Sequence, residues 1–354
     1  MNRDFQQVLT APPRDRRDLF QRTANRLGTT EQHVEKDFWV CWILDLLFNQ
    51  LPKAGPRLLF KGGTSLSKGY GLINRFSEDI DITVFRDDIG EASTAGEMEA
   101  LSGKGRRARL EAIRDACREY VQGCLRDGLA GLVSAALSEA GIADAEGRVL
   151  SDDQDPDGQS LLFRYPTSTH ATDDDYVRPT VRIESGAKSA LTPHEIRIVV
   201  PYVRAEVSDL RLEVPNVTTV HPARTFWDKV IILHGTRRWF EQRGHLRQEG
   251  QRVTRHYYDV HKMLASHVGL AAAKDRDLGL DCVQHARMFF GRPDLGLESA
   301  KPGSFAITPI RAMEDRLRAD YTKMSGMIFG PIPPFDAVMQ SIADLEARLN
   351  SGDA

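Results

Sequence analysis

Two short stretches of the sequence carry residue types that could handle a nucleotide: Lys61-Gly62-Gly63-Thr64-Ser65, and Asp79-Ile80-Asp81. Glycines let backbone N–H groups approach phosphate oxygens closely. A helix opening near Thr64 aims its positive end at the same spot, where Thr64 and Ser65 add hydroxyl donors. Lys61 and Lys68 flank the turn and can reach phosphates, although either could simply be exposed. Asp79 and Asp81 are two apart in an alternating run, so on a strand both carboxylates leave the same face. Neighbouring carboxylates repel unless a cation lies between them, and magnesium prefers such oxygen ligands. Two ions, about 3.5–4 Å apart, would stabilise the attacking and leaving oxygens of a displacement at phosphorus. This is the chemistry of nucleotidyl transfer from an NTP.

Each motif has a bland reading when taken alone, as a plain turn or a solvated strand face. Their order of strand, glycine turn, helix and strand joins them. The turn lacks the glycine–lysine signature of a P-loop, which argues against a kinase or ATPase of that type.

Several elements must position these residues. Leu58-Leu59-Phe60 reads as a short buried strand, followed by a helix from Thr64 to about residue 70 and a strand over 79–85. Upstream, residues 15–30 and 31–49 read as helices. Val34, Phe38, Ile43, Leu46 and Leu47 supply the packed face of the second, and Pro52 and Gly55 end it. Downstream come a loop over 87–104, a helical stretch over 106–140 and an acidic loop over 144–157. Strands are expected around 159–164, 177–184, 195–203 and 207–214, then a helix from Pro222 and mainly helices to the end. The fold class is therefore α/β (α+β). A core with a mixed sheet and N-terminal helices would occupy 1–220, and a mainly helical domain, 221–354, would complete the site.

With 354 residues, 41% hydrophobic and 27% charged, the chain has the composition of a soluble globular protein. Its net charge of -3 rules out a general polycation, so any nucleic-acid contact needs a local patch. Cys41, Cys117, Cys124 and Cys282 form no CxxC pair, which speaks against zinc and a disulfide framework and fits a reducing cytoplasm. Met1-Asn2-Arg3-Asp4 has no apolar run behind it, so no signal peptide is expected. The apolar run from Phe38 to Phe48 is interrupted by Asp45 and too short to span a bilayer, so no membrane partner is expected.

The run Phe60-Lys61-Gly62-Gly63-Thr64-Ser65-Leu66-Ser67-Lys68, followed by Arg75-Phe76-Ser77-Glu78-Asp79-Ile80-Asp81, resembles the AbiEii/AbiGii family of nucleotidyltransferase toxins. Val34-Glu35-Lys36-Asp37-Phe38-Trp39 also matches, as do Arg178 to Glu184, Arg224 to Lys229 and Arg255 to Val260. The resemblance spans roughly residues 30 to 265. It implies a polymerase-β-like nucleotidyltransferase fold and a toxin of a two-gene toxin–antitoxin or phage-defence system, neutralised by a cognate antitoxin. It further implies transfer of a nucleoside monophosphate to RNA, with tRNA the foremost acceptor, which would block translation.

Within that frame Glu184 is the choice for a third metal-binding carboxylate beside Asp79 and Asp81. Its bland reading is an exposed strand residue paired with Arg182. Lys229 could neutralise triphosphate charge, and Asp259 could order Lys229 or contact the acceptor; both could instead be helix-surface residues. Arg237 to Arg255 holds six arginines with Trp239, Phe240 and His245 among them, against Glu241 and Glu249, as a footprint for RNA backbone. Lys104, Arg106, Arg107 and Arg109 form a second basic cluster. Either could be a solvated helix face. Two other functions stay open: nucleotidyl transfer to a small molecule or protein hydroxyl, and a non-catalytic NTP-binding module. Binding without turnover would mark the latter.

Overall fold

A computed structural model describes residues 2–143, 146–169, 177–247 and 252–351. In chain order the main elements begin with α1 (Arg3–Thr10), α2 (Pro13–Leu27), α3 (Glu31–Asp45), β1 (Leu58–Lys61) and α4 (Gly62–Thr64). Then come β2 (Ile80–Val84), α5 (Ala95–Ala100), α6 (Gly103–Tyr120), α7 (Arg126–Glu139), β3 (Arg148–Ser151), β4 (Ser160–Arg164), β5 (Thr180–Glu184), β6 (His194–Val199) and β7 (Val214–Val220). Six helices follow: α8 (Pro222–Arg243), α9 (Thr254–Leu264), α10 (His267–Lys274), α11 (Arg276–Phe290), α12 (Arg311–Ser325) and α13 (Phe335–Asn350).

The chain divides into two compact units. The first comprises Met1–Gly69, Phe76–Ser93 and Arg107–Val220; the second comprises Tyr70–Arg75, Thr94–Arg106 and His221–Ala354.

The first unit is built on a seven-stranded sheet of order β3-β4-β5-β2-β1-β7-β6. It is mixed: β1 runs antiparallel to β2 and parallel to β7, and β2 runs parallel to β5. Helix α3 packs against it and is apolar almost all round, with every residue from His33 to Asp45 buried. Thr30 caps its start by accepting from the His33 N–H. Trp39 stacks on Tyr165, and both Trp39 and Trp42 lie against Phe163 of β4. Cutting Trp39 to Ala would cost about 3–5 kcal/mol, the usual loss for a large buried aromatic. The central strands are short apolar runs, Leu59-Phe60 and Ile80, Ile82, Val84, all buried.

In the second unit α8 is the hub, packed by α9, α10 and α11, while α12 and α13 lie on α9. Trp227 of α8 is buried with its indole N–H donating to the Ala272 carbonyl at 2.9 Å. Gly279 of α11 has no room for a side chain, since a Cβ there would lie 2.8 Å from the Trp227 ring.

Several expectations about elements need correction. Residues 87–104 are not a loop throughout: Thr94 and Glu97 form a reciprocal capping box that starts α5. Part of the expected acidic loop over 144–157 is strand β3, paired with β4; residues 144 and 145 lie outside the described residues. The strand expected over 207–214 is displaced to Val214–Val220 and pairs with β1 near the middle of the sheet. The glycine-turn helix begins at Gly62 rather than Thr64, with Lys61 at its cap position.

Candidate active site

In the first unit β1 delivers Lys61 to the glycine turn and β2 delivers Asp81 directly opposite Lys61. On its other side Asp81 is level with Glu184 of β5. Directly paired residues on adjacent strands share a face, so Lys61, Asp81 and Glu184 project together. Gly62 has φ +80°, a left-handed conformation that suits glycine. A Cβ on Gly62 would overlap Asp81 Oδ2 and lie 2.7 Å from Asp81 Cγ. The turn and the carboxylate are thus in van der Waals contact, and only glycine allows it.

A second tie runs to Asp79, which immediately precedes β2. The Thr64 hydroxyl donates to the Asp79 carbonyl at 2.6 Å and lies 2.8 Å from Ser77 Oγ. Ser65 turns its hydroxyl back onto the Gly62 carbonyl at 2.9 Å. Neither hydroxyl is a spare donor, which differs from the expectation that both point at phosphate. The Lys61 ammonium has no ion pair or hydrogen bond among the described residues.

The acids here are in excess. Burial, and then the charge of Glu78, push the Asp79 carboxyl up to about 7 against the pull of Lys36; Glu184 and Asp81 add to the push. Hard oxygen donors carrying surplus negative charge suit magnesium, so Asp79 and Asp81 fit such an ion chemically. Glu184 is held differently: Arg182 contacts it at 2.5 Å while also binding Asp152 at 2.8 Å. Its pairing is the one its bland reading anticipates. No group of three or more potential metal ligands gathers as a ready-made centre among the described residues.

Lys68 is not directed at the open side of the turn. Its ammonium forms a buried ion pair with Asp37 of α3, 3.1 Å from the centre of the Tyr202 ring. Asp37 also accepts from the Tyr202 N–H at 2.7 Å. The preceding residue, Lys36, pairs with Glu78 at 2.9 Å and its side chain is 5% exposed. Before it, Glu35 is fully buried and accepts from Thr167, Ser168 and Thr169. Sequence reasoning quoted these three residues without giving them a role. The available signal was three consecutive charges inside an otherwise apolar helix.

Lys229 and Asp259 meet in the second unit. Asp259 is 0% exposed and accepts two hydrogen bonds from Arg75, both 2.8 Å, and one from Lys229 at 2.8 Å. Burial pushes the Asp259 carboxyl up, but Arg75 and Lys229 overcome it and hold the group well below the usual carboxylate range. Burial draws the Lys229 ammonium down from its ordinary value, opposed by Asp259. Burial, then Lys229 and Arg255, keep His256 well below its ordinary value, hence neutral. Both expected residues are therefore buried, not on the helix surface. The partner that sequence reasoning missed is Arg75, 184 positions from Asp259, and no local spacing signals it.

Much of the basic stretch is internally neutralised. Arg237 and Arg238 both bind Glu241 at 2.9 Å, and Arg243 binds Asp294 at 2.7 Å. Arg243 and Arg247 are exposed beside the Trp239 ring, 5.6 and 5.7 Å from its centre. Phe240 is core, and Glu249 lies outside the described residues. On α6, Lys104 and Arg107 are exposed, Arg106 donates to the Met98 carbonyl, and Arg109 is tied to Glu91 and Ser93.

A mixed sheet with helices, carrying a glycine turn beside neighbouring aspartates, makes this an α/β protein. Residues 45–341 match the family model described as nucleotidyl transferase AbiEii toxin, type IV toxin–antitoxin system. The chain belongs to the AbiEii family of nucleotidyltransferase toxins. Among solved structures it is similar to MenT4, a nucleotidyltransferase toxin from Mycobacterium tuberculosis H37Rv. That match has 17% identity and a TM-score of 0.41, covering 95% of this chain and 99% of the other. No curated protein matches the sequence. No helix among the described residues is long and apolar enough to cross a membrane.

Proposed function

We propose that this nucleotidyltransferase moves a nucleoside monophosphate from an NTP to the end of an RNA, tRNA foremost, and that a cognate antitoxin counters it. The observation that carries the reading is the contact between the Gly62 backbone and the Asp81 carboxylate, with Asp79 tied to the same turn through Thr64.

The turn at residues 62–64 presents the free backbone N–H groups of a helix start to the phosphates, and Lys61 supplies positive charge on the same sheet face. Asp79 and Asp81, with Glu184 as the third carboxylate, would hold the magnesium that the family's chemistry calls for. When bound, magnesium supplies Lewis-acid stabilisation of charge on the phosphate oxygens. In the second unit Arg75, Lys229 and Arg255 outnumber Asp259, and this net positive charge favours polyphosphate. Lys229 and Asp259 act there as a fixed pair. Exposed Arg243 and Arg247 beside Trp239 offer charge and a flat ring to an RNA strand.

The test incubates the protein with each α-labelled NTP and total tRNA, and resolves the products on a gel. Wild type is expected to label one tRNA pool from one preferred nucleotide, and Asp79→Ala to label none. Label in protein or small-molecule fractions would reassign the acceptor, and equal labelling by Asp79→Ala would refute the site.

A further inference from the structure

Glu35, Lys36 and Asp37 are three consecutive charged residues of α3, and all are buried. Consecutive helix positions are turned by about 100° from one another, so the three reach different parts of the first unit. Lys36 grips Glu78, the residue next to Asp79. Asp37 grips Lys68, in the helical stretch that follows the glycine turn. The two halves of the candidate site, carboxylate side and phosphate side, each hang by a buried ion pair from adjacent residues of one helix. Buried ion pairs are poor stabilisers compared with well-packed apolar residues of similar volume. Their presence here calls for a role in placement.

The geometry points to Lys36 and Asp37 as positioning residues that fix Asp79 relative to the glycine turn. Lys36 acts through Glu78 on the placement of Asp79, and Asp37 acts through Lys68 on the placement of the turn. Neither touches the nucleotide. This rests on the reading of Asp79 as a metal-holding carboxylate, and it assigns separate kinetic signatures to the two pairs. Partners one shell removed from a ligand typically change metal affinity or activity by about 10–100-fold.

The experiment uses the full chain with two charge-neutral double variants, Lys36→Met/Glu78→Gln and Asp37→Asn/Lys68→Met. For each, kcat and the NTP KM are measured, Mn2+ binding is read by electron paramagnetic resonance, and the thermal midpoint is recorded. The first variant is expected to lose about 10–100-fold in both kcat and Mn2+ affinity. Its NTP KM should hold and its thermal midpoint should stay near wild type, while Lys36→Arg recovers most of the kcat. The second is expected to raise the NTP KM about tenfold while leaving Mn2+ affinity in place. Wild-type kcat and Mn2+ affinity in the first variant, or identical signatures in both, would overturn the inference. Should the first variant not fold, Glu78→Asp keeps both charges and shifts the pair. It should lower kcat several-fold at constant NTP KM, and an unchanged kcat would overturn the inference equally. Asp79→Asn separates the two levels. If it still transfers, the functional reading falls and this inference with it. If it is dead while Lys36→Met/Glu78→Gln behaves as wild type, only this inference falls.

Discussion

The two charged centres are built on opposite plans. Around Asp259 the single anion is fully held: a buried carboxylate meets a bidentate arginine and a lysine, all at 2.8 Å. Around Asp79 the carboxylates crowd one another: Glu78, Glu184 and Asp81 push its carboxyl up against the pull of Lys36, and Asp81 lies in contact with a glycine turn. The first arrangement has the form of a strut. The second tolerates repulsion that folding alone would remove, as expected where a cation or substrate completes the balance.

Breaking the strut should give the largest stability effect. Asp259→Ala leaves Arg75 and Lys229 buried without their anion, and urea unfolding is expected to show a loss of about 3–5 kcal/mol. Asp81→Ala should cost far less. Because the Asp259 carboxyl is depressed, its contribution is complete above the ordinary carboxylate pKa of about 3.9 and fades only as pH falls below it.

Next in size is Gly62→Ala. The methyl group would displace the Asp81 carboxylate and strain a positive φ, and a misplacement of about 1 Å can cost about 100-fold. Steady-state transfer kinetics should show that loss, about 2.7 kcal/mol in the barrier, with the fold retained.

Asp79→Asn should do the reverse of Asp259→Ala and stabilise the protein. A carboxyl raised from 3.8 to about 7 binds its proton more tightly in the folded state, so its ionisation opposes folding. The penalty is absent below pH 3.8, grows to about pH 7 and is constant above. The unfolding free energies of wild type and Asp79→Asn should therefore coincide in acid and differ by up to about 4 kcal/mol at pH 8 without divalent metal. Adding Mn2+ should close the gap. A destabilised variant at pH 8 would make Asp79 another strut.

The smallest effect belongs to the surface. Arg243→Ala breaks a half-exposed pair with Asp294 and should change stability by less than about 1 kcal/mol. If the ring and arginines beside Trp239 meet RNA backbone, the same change lowers the salt dependence of tRNA binding by about one phosphate contact.

Legibility followed sequence distance. The glycine turn and the Asp-x-Asp run lie within one strand–turn–helix–strand unit, so local spacing alone joined them, although Asp79 itself falls just before β2. Asp81 level with Glu184 depends on a parallel pairing between distant strands, and that register is not written in either segment. Strand β7 was displaced because Asn216, Thr218 and Thr219 look like loop, whereas the Thr219 hydroxyl satisfies itself on the Val217 carbonyl at 2.8 Å and can be buried. The Lys68 ammonium read as a phosphate contact because its neighbours are turn residues; Asp37, in another helix, takes it instead. The α5 helix was too short to show a period, although its Thr94 and Glu97 capping residues were in view.

The central claim is that the acid beside the glycine turn serves transfer rather than folding. Its most direct test is label incorporation from an α-labelled NTP into tRNA by Asp81→Asn, alongside a check of its thermal midpoint. The expected result is a fall of about 1,000-fold or more in a protein at least as stable as wild type. Incorporation at the wild-type rate by a folded Asp81→Asn would contradict the account.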